Sequence, residues 1–237
     1  MLRNDYLIFG GLDTRHFGVG IYGNQLAKAP ERDKEYISVP GKNGDVILDN
    51  GRYNNITVSY KAYIISNYNA NMRGLRNALM SQKGYQRLED TVNPEEFRLG
   101  EAIPFDIDEA GVLQAGEFVM QFNCKPQRFL KKGEQIITVN ANTSIYSEYL
   151  EEAKPLIRAY GTGTFSIGGV AVQITSANGY TDIDCELMEA YKDTMATNCN
   201  ANIVLTNGKF PVLGHGANAV TISGLTKLEI KPRWWIL

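Results

Sequence analysis

The sequence predicts a mainly β protein built from two domains, and three observations carry that prediction. Between Val39 and Tyr60, glycine-rich turns punctuate apolar and alternating runs. A single helical stripe is evident, at Tyr68, Met72, Leu75 and Leu79. Beyond about residue 133 the chain changes to short, closely spaced strand patterns separated by small turns, as in a sandwich.

The first elements are short. Tyr6 to Phe9 is an apolar run closed by Gly10 and Gly11, and Phe17 to Tyr22 is a second candidate strand, made irregular by Gly18, Gly20 and Gly23. Arg32 to Val39 leads into the organising unit. Pro40-Gly41 and Asn43-Gly44 have turn character, because proline presets φ and glycine accepts the left-handed region at no steric cost. Asn50-Gly51 is the pair best suited to a tight primed hairpin turn. On that reading Asp45 to Asp49 is a short strand between two turns. Ile56, Val58, Tyr60 and Ala62 then alternate with Thr57, Ser59, Lys61 and Tyr63, as in a half-buried strand. Arg32 and Arg52 stand near Asp33, Asp45 and Asp49, a set suited to cross-strand ion pairs. Exposed pairs of that kind contribute only about 0–1 kcal/mol.

The helix starts after Asn67 or Asn69, either of which can cap it, and Gly84 is placed to end it in the left-handed conformation. Its apolar stripe is expected to pack on a sheet, since a short helix depends on such packing. Strands follow at Tyr85 to Asp90, Glu96 to Gly100 and Glu117 to Cys124, the last with Phe118, Met120, Phe122 and Cys124 on one face. Lys125-Pro126 stops that strand, and Phe129 to Gly133 is the natural domain boundary. In the second part, strands are expected at 135–139, 155–160, 164–167, 170–174, 181–187, 203–205, 219–222 and 226–230. Gly168-Gly169 and Asn178-Gly179 are read as hairpin turns.

A chain of 237 residues with 43% hydrophobic and 21% charged content is ordinary for a globular protein. The net charge of −2 and the lack of a dense basic run argue against gripping nucleic acid. No run approaches the length of a membrane span, and the first residues lack a signal-peptide core. Cys124, Cys185 and Cys199 are widely spaced, which predicts reduced thiols in a cytoplasmic setting.

Candidate chemistry is sparse. His16 and His215 belong to no triad or metal motif, and neither a nucleophile elbow nor a phosphate loop is present. Asp182, Asp184 and Glu186 alternate with Ile183, Cys185 and Leu187, which reads as a divalent-cation site or as a solvent-facing acidic surface. Glu89-Asp90 and Glu95-Glu96 form no assembled catalytic pair. The sequence therefore predicts a non-enzyme without catalytic residues, cofactor or metal. Trp234 and Trp235 are the candidate saccharide contacts, with adjacent strand positions expected to point to opposite faces.

An ordered series of segments adds a resemblance. Pro30 to Tyr53 (PERDKEYISVPGKNGDVILDNGRY) is similar to the N-terminal part of the distal tail protein, Dit, of long non-contractile-tailed phages. The likeness recurs at 84–90 (GYQRLED), 122–129 (FNCKPQRF), 154–157 (KPLI), 210–213 (FPVL) and 228–235 (LEIKPRWW), in the family's order and in its compact form. The resemblance implies an N-terminal β-sandwich-like ring domain with one helix and an extended hairpin (1–132), followed by a galectin-like β-sandwich (133–237). It implies a structural tail-tip hub, a homohexameric ring that DNA passes through without specific binding. The implied partners are the tail-tube protein, the tail-associated lysin or baseplate hub, and receptor-binding machinery nearby. The implied location is the distal end of the virion tail, without a membrane anchor, after assembly in the host cytoplasm. Within such a ring, Arg32, Asp45, Asp49, Arg52 and Tyr53 are the candidate interface. The alternative function is a carbohydrate-binding module that recognises host cell-wall saccharide through the C-terminal domain.

Overall fold

Antiparallel strands account for about half of the structure, a computed structural model that describes residues 5–22, 29–105 and 115–237. Gly23, one of the glycines expected to disturb an early strand, lies outside the described residues. The chain divides into two compact units, one running to Arg128 and the other from Phe129 to Ile236.

In chain order the first unit contains β1 (Leu7–Phe9), β2 (Leu12–Asp13), β3 (Val19–Ile21), β4 (Arg32–Ile37), β5 (Val46–Tyr53), β6 (Ile56–Ile64), α1 (Tyr68–Ser81), β7 (Gln86–Asp90), β8 (Glu96–Ala102) and β9 (Gly116–Cys124). Seven of these strands form one sheet in the order β2-β1-β7-β8-β9-β6-β3. β6 and β9 pair along their whole length, Ile56 opposite Cys124 through Ile64 opposite Gly116. The alternation in β6 sends Ile56, Val58, Tyr60, Ala62 and Ile64 to the buried face.

α1 covers that face with Tyr68, Met72, Leu75 and Leu79, which join Phe9, Tyr60 and Phe122 in one core. The stripe read from the sequence is thus the packing face, while the caps differ. Asn67 occupies the N-cap in a left-handed conformation without a side-chain bond, and the helix stops at Ser81 with extended Gln82, ahead of Gly84 at φ +67°.

The hairpin also departs from expectation. β4 and β5 are joined by the turn around Gly41 and Gly44, and β5 runs straight through Asn50-Gly51. Gly51 (φ +73°) forms an irregularity inside the strand, where pairing shifts between Arg32 opposite Tyr53 and Lys34 opposite Asp49. The Asp49 carboxylate accepts the Gly51 N–H at 2.9 Å. An Asn-Gly pair supplies the positive φ that both a primed turn and a bulge require, so the dipeptide alone does not separate them.

The second unit follows a short strand, β10 (Arg128–Leu130). It contains β11 (Ile137–Val139), β12 (Thr143–Ser147), β13 (Leu156–Tyr160), β14 (Gly163–Ile167), β15 (Val170–Ile174), β16 (Tyr180–Asp184), β17 (Glu189–Lys192), β18 (Thr194–Asn198), β19 (Ile203–Leu205), β20 (Gly216–Ser223), β21 (Lys227–Lys231) and β22 (Trp235–Ile236). One sheet runs β11-β21-β13-β16-β17-β18 and the other β12-β20-β14-β15-β19. Ile157, Ile183, Leu228 and Ile230 from the first meet Phe165, Ile167, Val172 and Val220 from the second in a common core, which makes the unit a sandwich. Gly168-Gly169 is the two-residue turn between β14 and β15, with positive φ at both positions. Asn178-Gly179 is not a hairpin turn, because β15 and β16 belong to different sheets and the chain crosses between them there.

Candidate functional site

The β4–β5 arm gathers most of the residues that the sequence singles out. Its two strands pair with each other and, among the described residues, with no other strand. Arg32 Nη1 lies 3.5 Å from Asp49 Oδ2, and its guanidinium sits 4.7 Å above the Tyr53 ring, the residue opposite it in register. Arg52 Nε donates to Asp33 Oδ2 at 2.7 Å. Asp45 lies just outside β5 and takes part in neither pair. These contacts are solvent-exposed and contribute little to stability.

The sequence reading missed the arm's apolar surface. Tyr36 is 65% exposed and the opposing Ile47 57%, on one face of the ribbon. Ile37 and Val46 oppose each other on the other face, with Leu48 beside them, all exposed. A two-stranded ribbon is at best marginal in water by itself, and apolar side chains on both faces gain nothing there. The signal was present in the run Val46-Ile47-Leu48, which reads equally as a strand buried on both faces.

The tryptophans sit differently from the expected opposite-facing pair. Trp234 is 4% exposed and packs its ring 5.8 Å from Tyr149, while half-buried Trp235 packs against the same core. The Trp235 indole Nε1 donates to the Glu152 carbonyl at 3.0 Å. Period-two alternation fails because β22 begins only at Trp235 and the preceding Arg233 is left-handed at φ +59°. Gly133 permits this close terminal packing, since a Cβ there would lie 2.3 Å from the Trp234 backbone nitrogen. Trp234 therefore offers no open ring face for sugar stacking.

The acidic strand is not a solvent-facing surface. Asp182 and Asp184 are buried, each gripped by an arginine. Arg158 donates from Nε and Nη2 to Asp182 at 2.7 and 3.0 Å, and Arg233 donates from Nη1 and Nη2 to Asp184 at 2.7 and 2.8 Å. Burial alone raises the Asp184 pKa, but Arg233 and the Leu187 and Glu186 amides outweigh it and hold the carboxyl below its ordinary value. Asp182 raises the pKa of Arg158. The alternation was visible in the sequence, whereas the arginines are contributed by segments far away in the chain. Glu186 leaves the strand in the turn that Asp184 caps.

Among the described residues, no group of three or more His, Cys, Asp or Glu is arranged to hold a metal ion. No helix among them is long and apolar enough to cross a membrane. Burial pushes the Cys124 and Cys185 thiols up to about 12, which keeps them protonated. His215 places Nδ1 3.3 Å from the Tyr149 carbonyl, and His16 lies in the 3-10 turn Thr14–Phe17.

No protein-family model and no curated protein matches the sequence. Solved structures do match the fold. One is the crystal structure of the Dit protein of phage SPP1, described as a paradigm of the hub adsorption apparatus in phages that infect Gram-positive bacteria. It is 12% identical, superposes with a TM-score of 0.72, and the alignment covers 96% of this chain and 98% of that one. Over nearly its whole length, this chain has the fold of that Dit protein.

Proposed function

We propose that this chain is a structural hub at the distal end of a phage tail, acting by shape and self-association with no bond made or broken. Six copies close a ring around a channel. Residues 1–132 supply the ring, and residues 133–237 form a galectin-like sandwich. The ring links the tail-tube protein to the tail-associated lysin or baseplate hub, with receptor-binding machinery as a neighbour, and it is assembled in the host cytoplasm. DNA passes through without specific binding, and a net charge of −2 suits that.

The arm is the observation that carries this reading. It is a ribbon whose outer strand edges pair with no other strand among the described residues, with apolar residues on both faces, set in a fold shared with a protein described as a hub. A closed ring needs a heterologous interface, and an extended ribbon supplies one by laying its edge and side chains on the next copy.

Replacing Arg52 and Tyr53 together with Ala removes the Arg52–Asp33 pair and the ring under Arg32. Light scattering after size exclusion is expected to show loss of the ring, with tryptophan fluorescence of the second unit unchanged. A ring of unaltered mass contradicts the assignment. The saccharide-module reading through Trp234 and Trp235 gains nothing from where those rings sit.

A further inference from the structure

On the outer face of the six-stranded sheet, strand register sets four polar side chains in a single row. Glu229 lies opposite Arg158, Arg158 opposite Asp182, and Asp182 opposite Tyr191, across β21, β13, β16 and β17. Neighbouring strands are about 4.8 Å apart, so acceptor, donor, acceptor and hydroxyl follow one another at that spacing. A groove of about 220 Å³ lies along this row, and Lys231 and Asp193 add to its wall.

The floor of the groove is fixed before anything enters it. Asp182 is buried, takes both Arg158 hydrogen bonds and also accepts the Asp193 backbone N–H at 3.3 Å. The Tyr191 hydroxyl and the Lys231 ammonium, by contrast, have no hydrogen-bond or ion-pair partner among the described residues. Glu229 likewise accepts from the Tyr160 hydroxyl at 2.9 Å and from Lys227 Nζ at 2.6 Å, and Asp193 accepts from the Tyr180 hydroxyl, so the carboxylates are held in place while the two unengaged groups are left for a ligand rich in hydroxyls.

Charge and size narrow the class. Arg158 is paired with Asp182 and Lys227 with Glu229, which leaves Lys231 to balance Asp193, so the wall is close to neutral and suits neither a polyanion nor a strong cation. The groove is smaller than the roughly 300–1,000 Å³ typical of drug-sized sites, which leaves room for one ring. Ile136 and Leu156 supply apolar wall against which the C–H face of such a ring packs.

We propose that this groove binds one neutral hexose unit of a polysaccharide, with Tyr191 and Lys231 as its free hydrogen-bonding contacts and the Arg158–Asp182 pair as its rigid floor. The site is separate from Trp234 and Trp235, and the proposal does not depend on the ring reading.

Saturation-transfer NMR on the full chain tests it, with methyl α-glucopyranoside, methyl β-galactopyranoside and N-acetylglucosamine as probes. At least one sugar is expected to give a saturable signal in the millimolar range. Tyr191→Phe is expected to weaken it about fivefold, the loss of one neutral hydrogen bond. Lys231→Met should weaken it at least as much, and Tyr146→Phe on the opposite sheet should leave it unchanged. Silence from all three sugars overturns the proposal, as does wild-type affinity in both groove variants. Tighter binding of inorganic phosphate than of any sugar also overturns it, by assigning an anion instead. None of these outcomes bears on whether rings form.

Discussion

Truncating Ile47 to Ala probes the arm where its packing energy is concentrated. The side chain is 57% exposed in the single chain, so a little over half of it remains for a partner to cover. Full burial of an isoleucine is worth about 1.5–3 kcal/mol, and the uncovered part therefore holds about 1–1.5 kcal/mol. Truncation forfeits about 1 kcal/mol of that at each interface. In the proposed ring of six, the same loss recurs at every interface, for a total of about 6 kcal/mol. Spread over the five association steps that build a hexamer, this is about 1.2 kcal/mol per step, or a seven- to eightfold change in concentration at about 1.4 kcal/mol per decade. A dilution series by mass photometry should place the midpoint of assembly at a concentration about seven to eight times higher for Ile47→Ala than for the wild type. The thermal melt of the monomer should not change, since Ile47 belongs to no core in the single chain. A midpoint within twofold of wild type refutes the reasoning and places the interface elsewhere.

Three further outcomes follow from the buried groups. Asp184→Ala leaves Arg233 unpaired; because that side chain keeps 30% of its surface in water, the cost should fall near the low end of the range for a broken buried pair, about 3 kcal/mol. Urea unfolding followed by tryptophan fluorescence reads this selectively, because both tryptophans of the chain lie in the second unit. The folded pKa of Asp184 lies below its ordinary value, so its contribution is fully present above the unfolded pKa of about 3.9 and is lost as pH falls through the folded one. The urea midpoint should accordingly hold between pH 7 and 5 and drop below about pH 4, with that component missing in Asp184→Asn. Among the thiols, partly exposed Cys199 should react with an aromatic disulfide reagent before Cys124 or Cys185, which are buried and have raised pKa values.

What was legible in the sequence follows from what each pattern physically encodes. The α1 stripe and the alternation in β6 and β9 reflect burial on one face, and burial is what periodicity records. β18 escaped notice because all five of its residues are exposed, so no alternation was written into it. β17 is entered through Met188, a left-handed residue that is not glycine, so no turn signal marked the boundary. Asn50-Gly51 and Asn178-Gly179 carry the same local chemistry as a hairpin turn, and only partners distant in the chain make one a bulge and the other a crossover. The acids at 182 and 184 read as a cation site or as a water-facing surface because the arginines that hold them, Arg158 and Arg233, come from other segments. The Arg32–Asp49 and Arg52–Asp33 pairs were foreseeable because a hairpin brings near neighbours together. The row Glu229–Arg158–Asp182–Tyr191 spans four strands and becomes visible only with their register.

Negative-stain electron microscopy of the purified full chain, before it meets any tail component, tests the central claim most directly. The account predicts six-fold rings with an open centre, dispersed by truncations in the β4–β5 arm. A field of single particles at every concentration, with the arm folded against its own chain, contradicts it.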